Sequence, residues 1–439
     1  MNKIRPNNLK EGIGKFMLAD GMDHIIDLVR SHGSWLVDER DGKEYLDLFS
    51  MYASMSVGYN HPYVLENKNR LTTAALNKPT NSDVYSSQMA EFVDTMGNVA
   101  QPDYLPYAFY IEGGALAVEN ALKTAFDWKA RKNLMTGKPE GTGKILHFKE
   151  CFHGRTGYTM SLTDSSDPRK LQYFPKFDWP RIDNPKISFP LTESGLVDIK
   201  RVEERAIRQI EAAVENNSGN IAGLILEPIQ GEGGDNHFRE AFLRQLRKLA
   251  EKHEFLLIYD EVQTGIGITG KMWAHQHYGE GCRPDIISFG KKTQVCGIFA
   301  SNRLDEVEGH VFKESSRINS TWGGNLVDMV RFTIYLEIIS QENLVEKAAE
   351  NGAYLKQKLE ALQEAHRGKV SNARNRGLFG AFDVRTTEER DKTIRLIGEA
   401  GALMLGCGHK SIRIRPHLNI TQDEIDQGIS MIETAINQI

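Results

Sequence analysis

This chain of 439 residues lacks long hydrophobic runs, cysteine pairs and a large excess of either charge. Its longest apolar runs are short pieces such as residues 255–259, whereas a membrane-spanning helix needs about 20 apolar residues. The segment from Met1 to Asp20 has no apolar core of the kind that a secretory signal carries. The sequence therefore predicts neither a membrane protein nor a secreted one.

Charge and cysteine content narrow the class further. The 54 basic and 59 acidic residues give a net charge of −5, which argues against a general nucleic-acid-binding protein. The cysteines form no CxxC pair, so we expect free thiols in a reducing cytoplasm, with neither disulfides nor a zinc site. They are Cys151, Cys282, Cys296 and Cys407.

Short apolar strands alternate with amphipathic helices from about residue 107 onward. This alternation predicts an α/β fold with a mainly parallel sheet wrapped by helices. The predicted strands are Tyr107–Ile111, Ile145–Phe148, Ile221–Leu226, Phe255–Tyr259, Ile286–Phe289 and Ile298–Ser301. The predicted helices between them are Ala115–Arg131, Ile199–Asn216 and His237–His253.

The two ends of the chain have a different pattern. Residues 34–48 read as a hairpin with an Asp-Gly turn. After Gly324 we expect a long helical stretch to about Ala365, strands near 377–384 and 412–415, and a last helix that opens with the capping box 421–424. We therefore predict a small α+β domain formed by residues 1–70 and 328–439, and a large domain spanning 71–327.

The segment 260–271 (DEVQTGIGITGK) follows a predicted buried strand. Residues 265–271 match the P-loop spacing GxxxxGK, but Met272 stands where a magnesium-binding hydroxyl is needed. The alternative reading starts from Asp260, because a carboxylate at the end of a buried strand needs a cationic or hydrogen-bonding partner. The protonated pyridine nitrogen of pyridoxal phosphate is such a partner.

A second strand, about 25 residues downstream, leads into the pair Lys291 and Lys292. A lysine at the end of a buried strand loses solvation, so its pKa falls and its amine becomes a Schiff-base nucleophile. Asp260 and Lys291 are therefore predicted to hold one cofactor from neighbouring strands.

These motifs resemble the class III aminotransferases, which are pyridoxal 5'-phosphate enzymes of fold type I. The family pattern DEVQTGFGRTG is present with only Ile266 and Ile268 changed, and Lys291 aligns with the Schiff-base lysine. Residues 109–121 overlay the family's phosphate loop and the following helix. The resemblance covers nearly the whole chain and implies a large domain with a seven-stranded sheet and a smaller α+β domain.

The resemblance also implies roles for individual residues around the cofactor. Gly114 and Ala115 would hold the phosphate with backbone amides, and Gln263 would contact the ring oxygen. Val262 and Phe152 would pack on opposite faces of the ring. Thr321 would reach the phosphate from the partner subunit, which implies a homodimer with shared active sites.

The family's scheme of one glutamate and two arginines implies the substrates. Arg155 would bind the distal carboxylate, Arg413 would bind the α-carboxylate of 2-oxoglutarate, and Glu232 would pair with Arg413 while the amino donor is bound. The expected donor is L-lysine, whose ε-nitrogen lies roughly 7 Å from its carboxylate carbon when extended.

In its departures from the family pattern, the chain resembles the branch of the family that transfers the ε-amino group of lysine. These departures include Gly113-Gly114-Ala115 in place of Ser-Gly-Thr, and Leu326 in place of proline. The products would be glutamate and 2-aminoadipate 6-semialdehyde, which cyclises to a piperideine carboxylate.

Three alternatives stay open: an ω-aminotransferase for ornithine or 4-aminobutyrate, a non-catalytic protein of this fold, and a P-loop protein. His275 and His277 have no apparent third ligand, so we expect surface histidines on a helix and no metal site.

Overall fold

The computed structural model describes residues 4–141 and 143–439. A seven-stranded sheet lies at its centre, with only the strand Cys296–Ala300 antiparallel to its neighbours. This confirms the predicted α/β class and mainly parallel sheet. The strands, in their order across the sheet, are Tyr107–Ile111, Cys296–Ala300, Ile286–Phe289, Leu256–Asp260, Ile221–Leu226, Lys144–Phe148 and Arg181–Ile182.

Helices cover both faces of this sheet, which explains why central strands such as Ile221–Leu226 are buried at every position. The helix Glu240–Lys252 places Phe242, Leu246 and Leu249 in the core, as its apolar spacing predicts. The helices of eight or more residues are Lys68–Ala75, Ser87–Val99, Gly114–Met135, Glu193–Asn216, Glu240–Lys252, Leu326–Gln341, Leu344–Ala365, Thr387–Ala400 and Gln422–Ile436.

Strands from both ends of the chain meet in a second, three-stranded sheet. The predicted hairpin is confirmed, with Trp35 opposite Leu46, and Ala402–Leu403 adds a parallel strand to it. A four-stranded antiparallel sheet consists of Ser371–Arg376, Phe379–Asp383, Ser411–Ile414 and Leu405–Cys407. The domain boundaries given above remain a prediction.

The structure differs from the sequence pattern at several boundaries. The predicted continuous helix after residue 324 is two helices, separated by Asn343 in the left-handed conformation at φ 52°. Asp260 is the last residue of its strand, where the pattern placed it just after the strand. The edge strand Arg181–Ile182 was not predicted, because two residues are too few to show a periodicity.

Across residues 4–141 and 143–439, no helix is both long enough and apolar enough to pass through a bilayer. All four cysteines are free thiols, as expected, and the structure also shows that all four are buried.

Candidate active site

A cavity of about 320 Å³ lies beside the carboxyl ends of the central strands. Ligands bind at this edge in open α/β sheets. Thr321, Glu232 and Arg413 do not line it. The lining consists of Gly114, Ala115, Phe152, His153, Gly154, Arg155, Glu227, Asp260, Val262, Gln263 and Lys291.

Asp260 is 4% exposed and accepts three hydrogen bonds. Its Oδ1 accepts from Ser288 Oγ and from the Val262 amide, both at 3.1 Å. Its Oδ2 lies 2.8 Å from Nδ1 of His153, and a carboxylate can only accept, so Nδ1 carries the hydrogen. These three hydrogen bonds fix the position of the Asp260 carboxylate at the edge of the cavity.

Lys291 follows the neighbouring strand and faces the same cavity. The strands run parallel, with Ser288 opposite Asp260, so their carboxyl ends meet at one edge. Lys291 has φ +54°, a left-handed conformation that costs energy for a residue with a side chain and that clusters at functional sites. Its Nζ donates to the Tyr52 carbonyl at 3.0 Å.

The electrostatic environment of Lys291 favours the neutral amine. Burial is the main cause that lowers its pKa from 10.5 to about 8, and the positive charges of Arg413 and Arg415 contribute to the same shift. A neutral amine is the form that attacks a carbonyl carbon. Lys292 is more deeply buried than Lys291, but it lies outside the cavity lining and its Nζ donates to the Gln263 carbonyl at 2.9 Å.

The phosphate end of the cavity is the start of the 22-residue helix Gly114–Met135. The first-turn amides of a helix have no acceptor within it, and their dipoles favour an anion. No acidic residue occupies the first turn. A Cβ on Gly114 would lie 3.1 Å from Val262 Cγ1, so the small residue keeps the helix start close to this wall.

The walls between the phosphate end and Asp260 are largely apolar. Phe152 and Val262 both line the cavity, as the family pattern predicts for the two ring faces. Gln263 also lines it, with Oε1 accepting from Arg415 Nε at 3.2 Å and its own amide group left for another acceptor. An acid, an amine, a helix start and apolar walls therefore fit the charged pyridine, aldehyde and phosphate of one cofactor.

The substrate side differs from the sequence-based expectation. Glu232 was expected to pair with Arg413, but its Oε1 contacts Lys170 Nζ at 2.5 Å and Ser165 Oγ at 2.8 Å. Arg413 is 7% exposed, and its guanidinium makes no ion pair or hydrogen bond with the described residues. Arg155 is exposed and likewise has no such partner among them.

Thr321 lies away from the cavity of its own chain. It is exposed, and its carbonyl accepts from Ser82 Oγ at 3.2 Å. Within one chain, therefore, Thr321 and the cofactor cavity are not brought together.

Glu227 is a cavity residue that sequence reasoning missed. Its two oxygens accept from the amides of Phe152 and Gly231, both at 2.9 Å. Burial, with the nearby charge of Asp260, raises its pKa from 4.5 to about 8. Glu227 directly follows the strand Ile221–Leu226, so the strand-end rule that identified Asp260 could have found it.

The P-loop alternative is wrong for this structure. The amides of Gly265, Gly267 and Gly270 donate to carbonyls of Glu261, Met272 and Gly267, so these three glycine amides are not free to bind a phosphate. The expectation for His275 is also wrong, because that ring is buried, with Nδ1 2.8 Å from Glu261 Oε1.

The chain matches the family model of class III aminotransferases over residues 17–436. It is 47% identical to the L-lysine-epsilon aminotransferase of Mycobacterium bovis over 98% of this chain and 96% of that protein. It is 46% identical to the enzyme of that name from Amycolatopsis lactamdurans, over 98% and 95% of the two proteins.

Among solved structures, it resembles lysine aminotransferase from Mycobacterium tuberculosis in the internal aldimine form. The TM-score is 0.96 and the identity 46%, over 99% of this chain and 100% of that one. The chain thus belongs to the class III aminotransferase family. It is a pyridoxal 5'-phosphate-dependent aminotransferase of the type I fold.

Proposed function

We propose that this enzyme transfers the ε-amino group of L-lysine to 2-oxoglutarate, forming glutamate and 2-aminoadipate 6-semialdehyde, which cyclises to a piperideine carboxylate. Support comes from the relatives named above and from the substrate side of the site. The observation that carries the proposal is the pair of guanidiniums of Arg155 and Arg413, which make no ion pair or hydrogen bond with the described residues; Arg413 lies only over the Tyr52 ring, 5.9 Å from its centre. Two such groups suit an acceptor with two carboxylates.

Bound pyridoxal phosphate supplies an electron sink for the carbon that loses a proton. Lys291 provides the amine that holds the cofactor aldehyde and then moves a proton at the ε-carbon of the donor. Asp260 holds the charge of the pyridine nitrogen. Gly114 and Ala115 would bind the phosphate, Gln263 would contact the ring oxygen, and Phe152 and Val262 would exclude water from the two ring faces.

The two substrates place different demands on Arg413. When 2-oxoglutarate binds, its α-carboxylate pairs with Arg413 and its distal carboxylate with Arg155. When lysine reacts at its ε-carbon, an apolar stem lies near Arg413, and Glu232 neutralises that arginine. Glu232 therefore has two positions, of which this structure contains the one away from Arg413.

We also propose a cytoplasmic homodimer in which Thr321 of each subunit reaches the phosphate in the other. The loop 113–115 lacks the family's hydroxyl side chains, so its backbone amides hold the phosphate and Thr321 would add a hydroxyl donor. Ser82 contacts the Thr321 carbonyl, and the two segments that meet there carry the exposed apolar side chains of Val84, Tyr85 and Trp322. Exposed apolar patches of this kind mark protein interfaces.

A panel of amino donors with 2-oxoglutarate as acceptor tests the substrate. We expect L-lysine to have the highest kcat/KM, with ornithine and 4-aminobutyrate at least about tenfold lower, since each lost methylene shortens the reach between the distal arginine and Lys291. Ornithine or 4-aminobutyrate reacting faster than lysine would overturn the substrate assignment.

The matched control is Lys291→Ala, which should bind the cofactor through the phosphate loop yet transaminate no donor. A wild-type protein whose bound cofactor shows no absorption change with any amine would instead favour a non-catalytic protein of this fold.

A further inference from the structure

We propose that Lys170 and Ser165 form a second binding site for the Glu232 carboxylate, and that this site sets the affinity of the enzyme for 2-oxoglutarate. The proposal rests on the role given above to Glu232 and Arg413. It assigns Lys170 as a positioning residue, because Lys170 acts through Glu232 and does not line the cofactor cavity.

The contacts of Glu232 form a compact triangle. Its Oε1 lies 2.5 Å from Lys170 Nζ and 2.8 Å from Ser165 Oγ, and Lys170 Nζ also donates to Ser165 Oγ at 3.2 Å. The segment that carries both donors is held by Asp167, whose carboxylate accepts from the Arg169 amide at 3.1 Å. An ammonium and a hydroxyl thus face one carboxylate oxygen from a short, fixed segment.

The other oxygen of Glu232 argues for a temporary position. Oε2 is buried and has no hydrogen-bond partner among the described residues. A buried carboxylate oxygen without a donor is costly, so this site satisfies Glu232 only in part. Partial satisfaction suits a side chain that must leave for Arg413 in the other half of the reaction.

The backbone of Glu232, in contrast, is fixed. Its carbonyl accepts from the Gly408 amide at 2.7 Å. A Cβ on the adjacent Gly233 would lie 1.8 Å from the Glu150 carbonyl oxygen, which shows how closely the chain is packed there. Only the side chain of Glu232 can therefore exchange partners.

Lys170 lies at the wall between two cavities. Its Nζ is 5.7 Å from the centre of the Phe152 ring, which lines the cofactor cavity. On its other side is a cavity of about 510 Å³ that is lined by Lys170 and Glu232 themselves, together with residues around Gly408. Lys170 can therefore hold Glu232 beside the active site without entering it.

The physical consequence is a balance between two cations for one carboxylate. If Glu232 binds Lys170, Arg413 is available to 2-oxoglutarate; if Glu232 binds Arg413, the site suits the apolar stem of lysine. Removing Lys170 weakens only the first arrangement. The ketoacid would then have to displace Glu232 from Arg413 with no replacement partner for the carboxylate.

The experiment compares Lys170→Met with the wild-type holoenzyme in two assays. The KM for 2-oxoglutarate should rise about fivefold, as expected for loss of a partly exposed ion pair. The kcat/KM of the half-reaction with lysine alone should stay the same or rise. Calorimetric binding of glutarate, an unreactive dicarboxylate, should weaken by the same factor as the KM change.

Three further variants serve as comparisons. Arg169→Met removes the neighbouring cation, whose side chain is 82% exposed and pairs with Asp167, and should change neither assay. Ser165→Ala should change the results of both assays in the same direction as Lys170→Met, by about twofold. Lys170→Arg keeps the charge and should remain within about twofold of wild type.

Several results would overturn the proposal. These are an unchanged KM for 2-oxoglutarate and unchanged glutarate affinity in Lys170→Met, an equal loss in both half-reactions, or a Lys170→Arg variant as defective as Lys170→Met. If the wild-type enzyme does not turn over lysine, the proposed donor is wrong, while the glutarate comparison still tests the Lys170 site.

Discussion

The cofactor side and the substrate side of this site are built in opposite ways. On the cofactor side, Asp260 accepts three hydrogen bonds and Glu227 accepts two. On the substrate side, the guanidiniums of Arg155 and Arg413 make no ion pair or hydrogen bond with the described residues, and Glu232 uses only one of its oxygens.

The difference follows from what each side must do. A cofactor that stays in place is bound best by groups that other hydrogen bonds already hold in position. Two substrates that alternate need cations that are free to exchange carboxylates. The predictions below test whether the two sides respond to mutation as differently as their bonding suggests.

The largest expected effect is on the cofactor side. Asp260→Asn keeps the size of the side chain but removes the charge that faces the pyridine nitrogen, so kcat should fall roughly a thousandfold. The KM values should change little, because neither substrate contacts Asp260. Steady-state kinetics with lysine and 2-oxoglutarate measure both.

Ser288→Ala is the control for that variant, because it removes one donor to the Asp260 carboxylate and leaves the charge. A smaller loss, about tenfold, is expected. An Asp260→Asn variant that retained a tenth of wild-type kcat would contradict the proposed role of the acid.

The next largest effect is expected on the substrate side, where the variants of the two arginines should differ from each other. Arg413→Met should raise the KM for 2-oxoglutarate about a hundredfold and leave the lysine half-reaction close to wild type, because only the ketoacid uses this guanidinium. Arg155→Met should weaken both substrates, because each has a distal carboxylate. Equal effects of the two variants on both substrates would remove the distinction between the two positions.

The smallest effect concerns the pH response of Lys291 in protein freed of cofactor. With a pKa of about 8, the Lys291 amine should be methylated by formaldehyde and cyanoborohydride with a pH midpoint near 8. For ordinary lysines the midpoint should lie near pH 10.5. Peptide mass mapping measures this. Arg413→Met should move the midpoint upward by less than one unit, because burial is the larger cause and the arginine a secondary one.

The same pKa shift has a consequence for stability. Because the folded pKa lies below that of the unfolded chain, the unfolded state binds more protons between pH 8 and 10.5. Wild-type protein should therefore gain stability over Lys291→Met as pH rises through this window, and below pH 8 it should show no such gain. A Lys291 midpoint near 10.5 would contradict both expectations.

Much of the cofactor side was predictable from short stretches of sequence. Asp260 and Lys291 were located because each follows an apolar run, and parallel strands bring their carboxyl ends to one edge of the sheet. Gly114 and Ala115 were assigned by the resemblance to the family's phosphate loop, and a predicted helix begins at the same place. Glu227 follows the same strand-end rule and was overlooked.

The bonds of His153 and Ser288 with Asp260 could not be predicted in this way. His153 is 107 residues from Asp260 in the chain, and the two meet only because the sheet and the loop after Phe148 bring them together. Nothing in the local pattern around His153 indicates which carboxylate it will contact.

The local order of apolar and polar residues was thus enough for the sequence alone to establish the α/β class, the neighbouring strands and the acid and amine at their ends. Only the tertiary structure decided which charges meet, placing Glu232 against Lys170 and leaving Arg413 without an ion pair among the described residues. The physical reason is that an ion pair depends on a few ångströms between side chains that are far apart in the chain, and sequence spacing does not encode such distances.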